Sequence, residues 1–301
     1  MADDKQFLAD LQNASVDVRF AAWRAAGSVT PAVIPQLGKL ASSPNPGVAK
    51  AAREALTTMT HGVGKTASTN RTGVEKGLLG LASGDYALPV RFHAFRLLSG
   101  IASEESVPAI ARWLQNTDLR EEAIYCLERI PGPAVDKTLI TAYKEAKDDF
   151  KPRVLAALGH RRVEDAAGLC AEAMRSTNKD IAVAGVKAFG RIGKKPAGAV
   201  TPPEERGLST WQRIDEIDSL LRFADAQAKQ GNAAEAMRIY KTALDRPEEH
   251  WQCAAIIGIA KLKSEESAAA ILPKMKSSNR TVRITAEKAW KGMAGEATPR
   301  S

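Results

Sequence analysis

Aromatic residues and cysteines are scarce in this sequence of 301 residues. Aromatics make up 5% of the chain, whereas alanine is abundant and often occurs in pairs. This composition disfavours a β-sheet fold and favours closely packed helices. The three cysteines, Cys126, Cys170 and Cys253, share no short spacing, so we expect neither a disulfide framework nor a zinc site. We expect free buried thiols in a reducing compartment instead.

Long apolar runs are also missing. No stretch approaches the ~18 residues that a membrane span needs. The amino terminus, Met1 to Lys5, begins with acidic residues and has no apolar run behind it, which is unlike a secretory signal. We therefore expect a cytoplasmic protein without a membrane span, with export only if the sequence is a trimmed fragment.

Negative charge is in the minority, and the net charge is +8 with a pI of about 9.4. Such an excess of cations permits binding to a polyanion or to an acidic protein surface. A solvated basic surface with no partner gives the same balance, so charge alone does not choose between these interpretations.

One pattern recurs eight times along the chain. An apolar anchor residue, often followed by Arg, is followed four, seven and eight positions later by small or apolar residues. These positions share one face of an α-helix, so each copy predicts one amphipathic helix. The anchors are Val18, Val48, Val90, Leu119, Phe150, Ile181, Trp251 and Val282.

A further amphipathic helix precedes each copy, as in segments 33–37 and 107–111. Turns rich in Ser, Asn and Pro separate the helices, and such residues close turns and cap helices. The anchors lie 29 to 31 residues apart except for gaps of 42 and 70 residues. The first gap contains a Gly-rich loop, 62–73, which we expect to be mobile. The second contains a Pro/Gly-rich stretch and one additional helix over about 210–230.

The repeated pattern, as in Asp17-Val18-Arg19-Phe20-Ala21-Ala22, resembles the HEAT-repeat family over nearly the whole chain. The run from Ala228 to Ala236, continued by Tyr240 and Pro247, resembles one tetratricopeptide helix pair. The resemblance implies an all-α, right-handed α-α superhelix, that is, a HEAT-like solenoid of about eight helix pairs. Such pairs cannot bury their apolar faces alone and stack into a continuous core.

The resemblance also implies an organisation along the chain. Its segments are HEAT-like repeats over 1–193, a linker over 194–208, an extra helix plus the tetratricopeptide-like segment over 209–247, further HEAT-like repeats over 248–294, and a tail over 295–301. The linker leaves two arrangements open, a continuous bent array or two sub-arrays joined by a hinge.

The sequence offers no local constellation for catalysis or for a cofactor. The run from Gly62 to Thr66 is similar to the end of a P-loop, but Met59 replaces the first glycine of that motif and a helix, not a strand, precedes it. The four histidines are far apart, and none is followed by Glu, as a resemblance to HEAT-type di-iron hydroxylases would require. We therefore predict no catalytic, cofactor or metal site, and no enzyme.

The strongest candidate for a binding surface is a row of cations on the second helix of each pair. Counted from the anchor as position 0, position 6 holds Lys or Arg in four copies, and position 10 adds Arg129, His160, Arg191 and Lys261. In HEAT arrays the second helices line the concave surface, so stacking would place these cations side by side. Copies two and seven interrupt the series, and solvated helix faces are the alternative interpretation. The six candidates, here called the cationic row, are Arg24, Arg96, Arg129, Lys187, Arg191 and Lys288.

Two main hypotheses for function follow. The first is a non-catalytic scaffold or adaptor that binds another protein with an acidic surface, motivated by eight stacked repeats. The second is a nucleic-acid-binding HEAT-like protein that uses a basic concave face. Its variant, a HEAT-like DNA glycosylase, needs a carboxylate with aromatic neighbours in the concavity, and the sequence points to no such group. A lyase or chaperone for a bound pigment is a third and weaker hypothesis, because no cysteine or histidine motif supports it.

Overall fold

The computed structural model describes residues 3–64, 70–195 and 208–295. These residues form seventeen α-helices joined by turns and short 3₁₀ segments, and none of them lies in a β-strand. The all-α class predicted from the sequence is therefore confirmed. The chain divides into two compact units, Met1–Ala142 and Tyr143–Ser301, and each is a stack of helical pairs of the α-solenoid kind. No helix in the described ranges is both long and apolar enough to cross a membrane.

The first unit alternates first and second helices. Its first helices are α1 (Asp4–Asp10), α3 (Ile34–Leu40), α5 (Arg71–Ser83) and α7 (Val107–Ala111). Its second helices are α2 (Val16–Arg24), α4 (Pro46–Gly64), α6 (Leu88–Ile101) and α8 (Arg120–Leu127). Each second helix packs on the next, from α2 to α8. The following helix, α9 (Pro133–Glu145), runs across the boundary between the units.

The second unit continues the alternation and adds a hairpin. Its second helices are α10 (Lys151–Arg161), α12 (Lys179–Ile192), α15 (Glu249–Leu262) and α17 (Arg280–Gly295). Its first helices are α11 (Ala167–Ala173) and α16 (Glu265–Ile271). The additional hairpin consists of α13 (Thr210–Lys229) and α14 (Ala233–Leu244), and it lies between α12 and α15.

The eight copies of the sequence pattern contribute to the cores of both units. In the six inner copies the anchor and positions 4, 7 and 8 are all buried. In the first and last copies the burial is partial: Val18 is half-buried, Ala25 is exposed, and Ala289 and Trp290 are half-buried. The physical reason is that α2 and α17 each pack against a second helix on one side only. The period seen in the sequence therefore marks the faces by which the second helices stack.

Asparagines precede four of the second helices, as the turn composition predicts. Each lies three residues before an anchor, and its side-chain oxygen accepts hydrogen bonds from the amides two and three residues further on, at 2.9 to 3.4 Å. At α4, α12 and α17 these amides belong to the first turn and have no partner within the helix, so the side chain caps it. At α8, which begins later at Arg120, the side chain closes the preceding turn instead. The four residues are Asn45, Asn116, Asn178 and Asn279.

Two carboxylates, one on α5 and one in the 3₁₀ segment before α7, connect one repeat to the next. Glu75 of α5 is buried, and its Oε1 accepts hydrogen bonds from the Ser103 amide at 2.7 Å, from the Ser103 hydroxyl at 2.8 Å and from the Ser106 hydroxyl. Glu104 in turn accepts from the amide of Ala134 at 2.9 Å, at the start of α9. Each side chain therefore caps the first helical segment of the following repeat.

The additional helix predicted over about 210–230 is α13, and it packs against α12. Gly190 lies directly on the backbone of Ser219, where an added Cβ would overlap the Ser219 carbonyl oxygen. The rings of Phe189 and Phe223 stack with centroids 4.2 Å apart. The amide of Gln227 donates to the carbonyl of Gly193 at the end of α12, at 2.7 Å. Backbone contact, ring stacking and a buried hydrogen bond thus fix this pair of helices.

The Gly-rich loop expected over 62–73 is shorter, because α4 continues to Gly64 and α5 begins at Arg71. The reason is that Val63 is buried and extends the apolar stripe of α4 by a turn, so tertiary packing overrides the low helix propensity of the glycines. Residues 65–69 of the predicted loop lie outside the described residues, as do 196–207 of the linker and 296–301 of the tail.

Candidate binding site on the second helices

Two members of the cationic row are neutralised by the next helix in the stack. Arg96 of α6 forms an ion pair with Glu122 of α8 at 3.1 Å, and Lys187 of α12 forms one with Asp215 of α13 at 2.9 Å. Arg96 and Lys187 are therefore cations with a carboxylate partner already in place, which the spacing of the pattern does not indicate. Glu122 lies in the first turn of α8, where the helix dipole also favours a carboxylate, whereas Asp215 lies beyond the first turn of α13.

Two other members contact aromatic rings of their own repeats. The guanidinium of Arg24 lies 5.6 Å from the ring of Phe20, one helical turn earlier. That of Arg129 lies 3.5 Å from the ring of Tyr125 and donates a hydrogen bond to the Tyr125 carbonyl at 3.0 Å. Both guanidiniums remain exposed, so they are held in place without being neutralised.

The last two members, Arg191 and Lys288, lie in the second unit on α12 and α17. Arg191 is half-buried and Lys288 is exposed. On α15, the helix that packs on α17, position 6 is Ile257, which is 49% exposed. The cationic row is therefore interrupted there by an exposed apolar side chain.

Within the second unit, the row positions of two adjacent helices form a groove of about 470 Å³. Its apolar lining consists of Pro152 and Ala156 on α10 together with Val183 and Ala184 on α12. Pro152 and Val183 are position 2 of their copies, and Ala156 is position 6. The side chains at these positions are small and leave a space between the two helices that larger residues would fill. We call this space the α10–α12 groove.

Charged and polar side chains complete the lining of the α10–α12 groove. The cations are Lys187 and Arg191, and the carboxylates are Asp149 and Asp180. Gln212, near the start of α13, also lines it and donates to Asp180 at 3.3 Å. The groove thus combines an apolar strip with charged side chains of both signs.

An aromatic side chain stands next to this groove in the sequence. Trp211 precedes Gln212 in the first turn of α13 and is 78% exposed. Exposed tryptophan is unusual on a free surface and common among the residues that dominate protein interfaces. Trp211 belongs to no motif of the sequence, and its one signal there is an aromatic residue at a predicted helix start directly after a Pro/Gly-rich stretch.

The positive charge is concentrated in the second unit. Residues 143–301 contain 28 Lys and Arg against 21 Asp and Glu, a net charge of +7 out of the +8 of the whole chain. The first unit is nearly neutral, with 15 basic and 14 acidic residues over 1–142. Long-range attraction of an anionic partner would therefore be directed to the second unit.

Histidine and cysteine are used in packing. In the described ranges no three His, Cys, Asp or Glu side chains lie close enough to hold a metal ion. Burial lowers the pKa of His93, whose Nε2 lies 3.3 Å from the carbonyl of Arg53. Burial raises the pKa of the Cys126 and Cys170 thiols to about 12 each. Of the P-loop-like run, Gly62 to Gly64 form the last turn of α4, and the rest lies outside the described residues.

Comparison with known proteins gives little beyond the fold. No family model matches the chain, and no curated protein matches it. One solved structure with a similar backbone is that of an engineered protein that is 17% identical in sequence. The match covers 98% of this chain and 89% of that chain, with a TM-score of 0.46. Similarity at this level carries no information on function.

Proposed function

We propose that this chain is a non-catalytic binding scaffold of the HEAT-like class that holds an acidic segment of a protein partner in the α10–α12 groove. The observation that carries the proposal is the groove itself, an apolar strip on the row face of two stacked second helices. Arg191 flanks this strip, as does Lys187, whose ion pair with Asp215 an acidic segment would have to share. An extended or helical segment with apolar and acidic side chains would satisfy both kinds of lining.

Exposed apolar side chains favour a protein over a nucleic acid as the partner. Trp211 and Ile257 are 78% and 49% exposed, and both belong to the unit that carries the charge. A phosphate backbone would gain little from such side chains, whereas a protein surface would bury them.

Nucleic-acid binding is the second candidate, and the net charge of +7 on residues 143–301 supports it. The two functions differ in salt dependence. A duplex with six to ten phosphate contacts would lose on the order of 10³ to 10⁵ in affinity between roughly 50 and 200 mM salt. A protein partner held partly by apolar contacts should show a shallower dependence.

The test begins with capture by the tagged full chain from lysate of its source organism, with and without nuclease treatment. The protein recovered in both samples is then titrated against the wild type and against Ala156→Glu. Ala156 is a half-buried groove residue, and glutamate there adds bulk and negative charge while keeping good helix propensity. We expect at least about a tenfold loss of affinity, because the variant repels an acidic segment from the site that it would occupy.

The matched control is Ala21→Glu, the same change at an exposed position of α2 in the first unit. It should bind as the wild type does. Unchanged affinity of Ala156→Glu would remove the groove from the proposal. Loss of every partner after nuclease, together with a steep salt dependence, would favour the nucleic-acid candidate instead.

A further inference from the structure

A second pocket, of about 530 Å³, lies where α10, α12 and α13 end. Its charged lining consists of Arg162, Arg191, Arg222 and Lys229, with Asp225 as the one carboxylate. Within the described part of the chain, none of the four cations makes an ion pair or a side-chain hydrogen bond, in contrast to Lys194 and Lys195 nearby in sequence. We call this feature the helix-end pocket.

The one carboxylate of the pocket is already engaged. Asp225 accepts a hydrogen bond from the hydroxyl of Tyr240 at 2.7 Å. Burial and this hydrogen bond raise the pKa of Tyr240, so the hydroxyl stays protonated and continues to donate. Asp225 is therefore bonded to Tyr240 and not to any of the four cations. An incoming anion could bind these cations without first breaking an ion pair with Asp225.

Charge balance indicates what the pocket accommodates. The carboxyl ends of three helices each contribute roughly half a negative charge, and together they offset part of the positive charge of the four cations. With Asp225 also counted, the four cations still leave a surplus of roughly +1.5. A single carboxylate would leave part of this surplus, whereas a phosphate monoester carries about −1.5 to −2 at neutral pH and matches it. Three of the four cations are arginines, whose planar fork suits phosphate oxygens.

Arg162 occupies a backbone position that normally belongs to glycine. It follows the last residue of α10 with φ of 55° and ψ of 47°, in the left-handed region. The amides of Arg162 and Val163 bond to the carbonyls of Gly159 and Leu158, which is the Schellman arrangement. The neighbouring helix α12 ends at Gly193 with φ of 68°, so the same fold uses glycine at the equivalent place. Glycine would adopt the conformation of Arg162 at a lower cost, and the side chain that arginine adds there lines the pocket.

We propose that the helix-end pocket is a binding site for a phosphate monoester, held by Arg162, Arg191, Arg222 and Lys229. This inference goes beyond the scaffold function, because the site would exist whether or not the α10–α12 groove binds a protein. The phosphoryl group has two sources, a small phosphorylated metabolite or a phosphorylated side chain of a protein, and the experiment distinguishes them.

The experiment follows the ³¹P resonance of phenyl phosphate during titration with the full chain, with benzoate as the singly charged competitor. Wild type should give saturable binding in the millimolar range or tighter, and benzoate should compete poorly. Arg162→Gly should weaken binding by about tenfold or more, because it removes one charged fork. It should not lower the thermal midpoint, because glycine relieves the left-handed conformation. Loss of binding in this variant therefore cannot be ascribed to misfolding.

Lys263→Gly is the matched control. Lys263 ends α15 with φ of 51°, so this variant makes the same backbone and charge change at a cap that does not line the pocket. It should bind phenyl phosphate as the wild type does. The proposal is overturned if wild type shows no saturable binding, if benzoate competes as well as phenyl phosphate, or if Lys263→Gly weakens binding as much as Arg162→Gly.

A phosphoserine peptide and its serine counterpart identify the source. Tighter binding of the phosphopeptide than of phenyl phosphate indicates a phosphorylated protein, and equal or weaker binding indicates a small metabolite. Ala156→Glu should leave phenyl phosphate binding unchanged, and Arg162→Gly should leave the groove partner bound. The two proposals can therefore fail separately.

Discussion

Cys126 and Cys170 are completely buried in their helices, whereas Cys253 on α15 is partly exposed. Because burial raises the pKa of both buried thiols to about 12, almost no thiolate is present at neutral pH. We expect a thiol reagent such as DTNB to modify Cys253 alone in the folded protein at pH 8, and all three cysteines after denaturation. Rapid modification of more than one thiol under native conditions would contradict the buried positions.

Glu235 gives a prediction about pH. Hydrogen bonding to Arg238, together with the charges of Arg238 and Lys195, lowers its pKa. The sign follows directly: a carboxyl with a lowered folded-state pKa stabilises the protein above its ordinary pKa, and this contribution disappears as the pH falls through the folded-state value. Glu235→Gln should therefore reduce the denaturant midpoint at pH 7. Its difference from wild type should shrink as the pH falls below about 4.5. A difference that grows on acidification would be inconsistent with this.

The asparagine caps can be tested one residue at a time. Asn178 accepts hydrogen bonds from the amides of Asp180 and Ile181 at 3.0 and 3.4 Å. Asn178→Ala should lower the free energy of unfolding by about 1 kcal/mol, whereas Asn178→Asp should largely preserve it because a carboxylate also caps. Urea denaturation measures both, and equal stabilities of the alanine and aspartate variants would exclude a capping role.

At the scale of the helix, the contact between α12 and α13 depends on the absence of a side chain. Gly190→Ala should force α13 away from α12 and destabilise the protein by about 1–3 kcal/mol, although alanine is the better helix former. Gly168→Ala on α11 is the control, since no atom lies within 4 Å of its added Cβ. That variant should be neutral or stabilising. If both variants were equally stable in urea denaturation, the close contact between the helices would be wrong.

The helices were largely predictable from the sequence, and the binding features were not. The period of the pattern sets which faces stack, so the second helices and α13 follow from local composition. The α10–α12 groove depends on small side chains facing each other across two helices, Ala156 and Ala184 among them. Glu122 and Asp215 neutralise two predicted cations from neighbouring helices, and no spacing in the sequence pairs them. Such features arise only when separate helices are brought together.

At the scale of the molecule, the hairpin of α13 and α14 covers two apolar faces. Phe189 of α12 packs on Phe223, and Tyr240 of α14 packs where Gly258 of α15 leaves room. Deletion of residues 209–247 would expose both faces, because each repeat is stabilised mainly by its neighbours. We expect a lower thermal midpoint and aggregation, measured by circular dichroism and light scattering. Full retention of both stability and solubility would show that the hairpin does not support the stack.

Arg162 at the end of α10 has a left-handed backbone conformation, so selection for stability and selection for phosphate binding should favour different residues at this position. A library varied at position 162 and selected for heat resistance should enrich glycine, since the backbone there favours a residue without a Cβ. The same library selected for retention on an immobilised phosphate ester should keep arginine. Stabilisation of this protein by placing glycine at its helix ends would therefore replace Arg162 first. The variant would fold and purify normally, and its loss of phosphate binding would be detected only in a binding experiment.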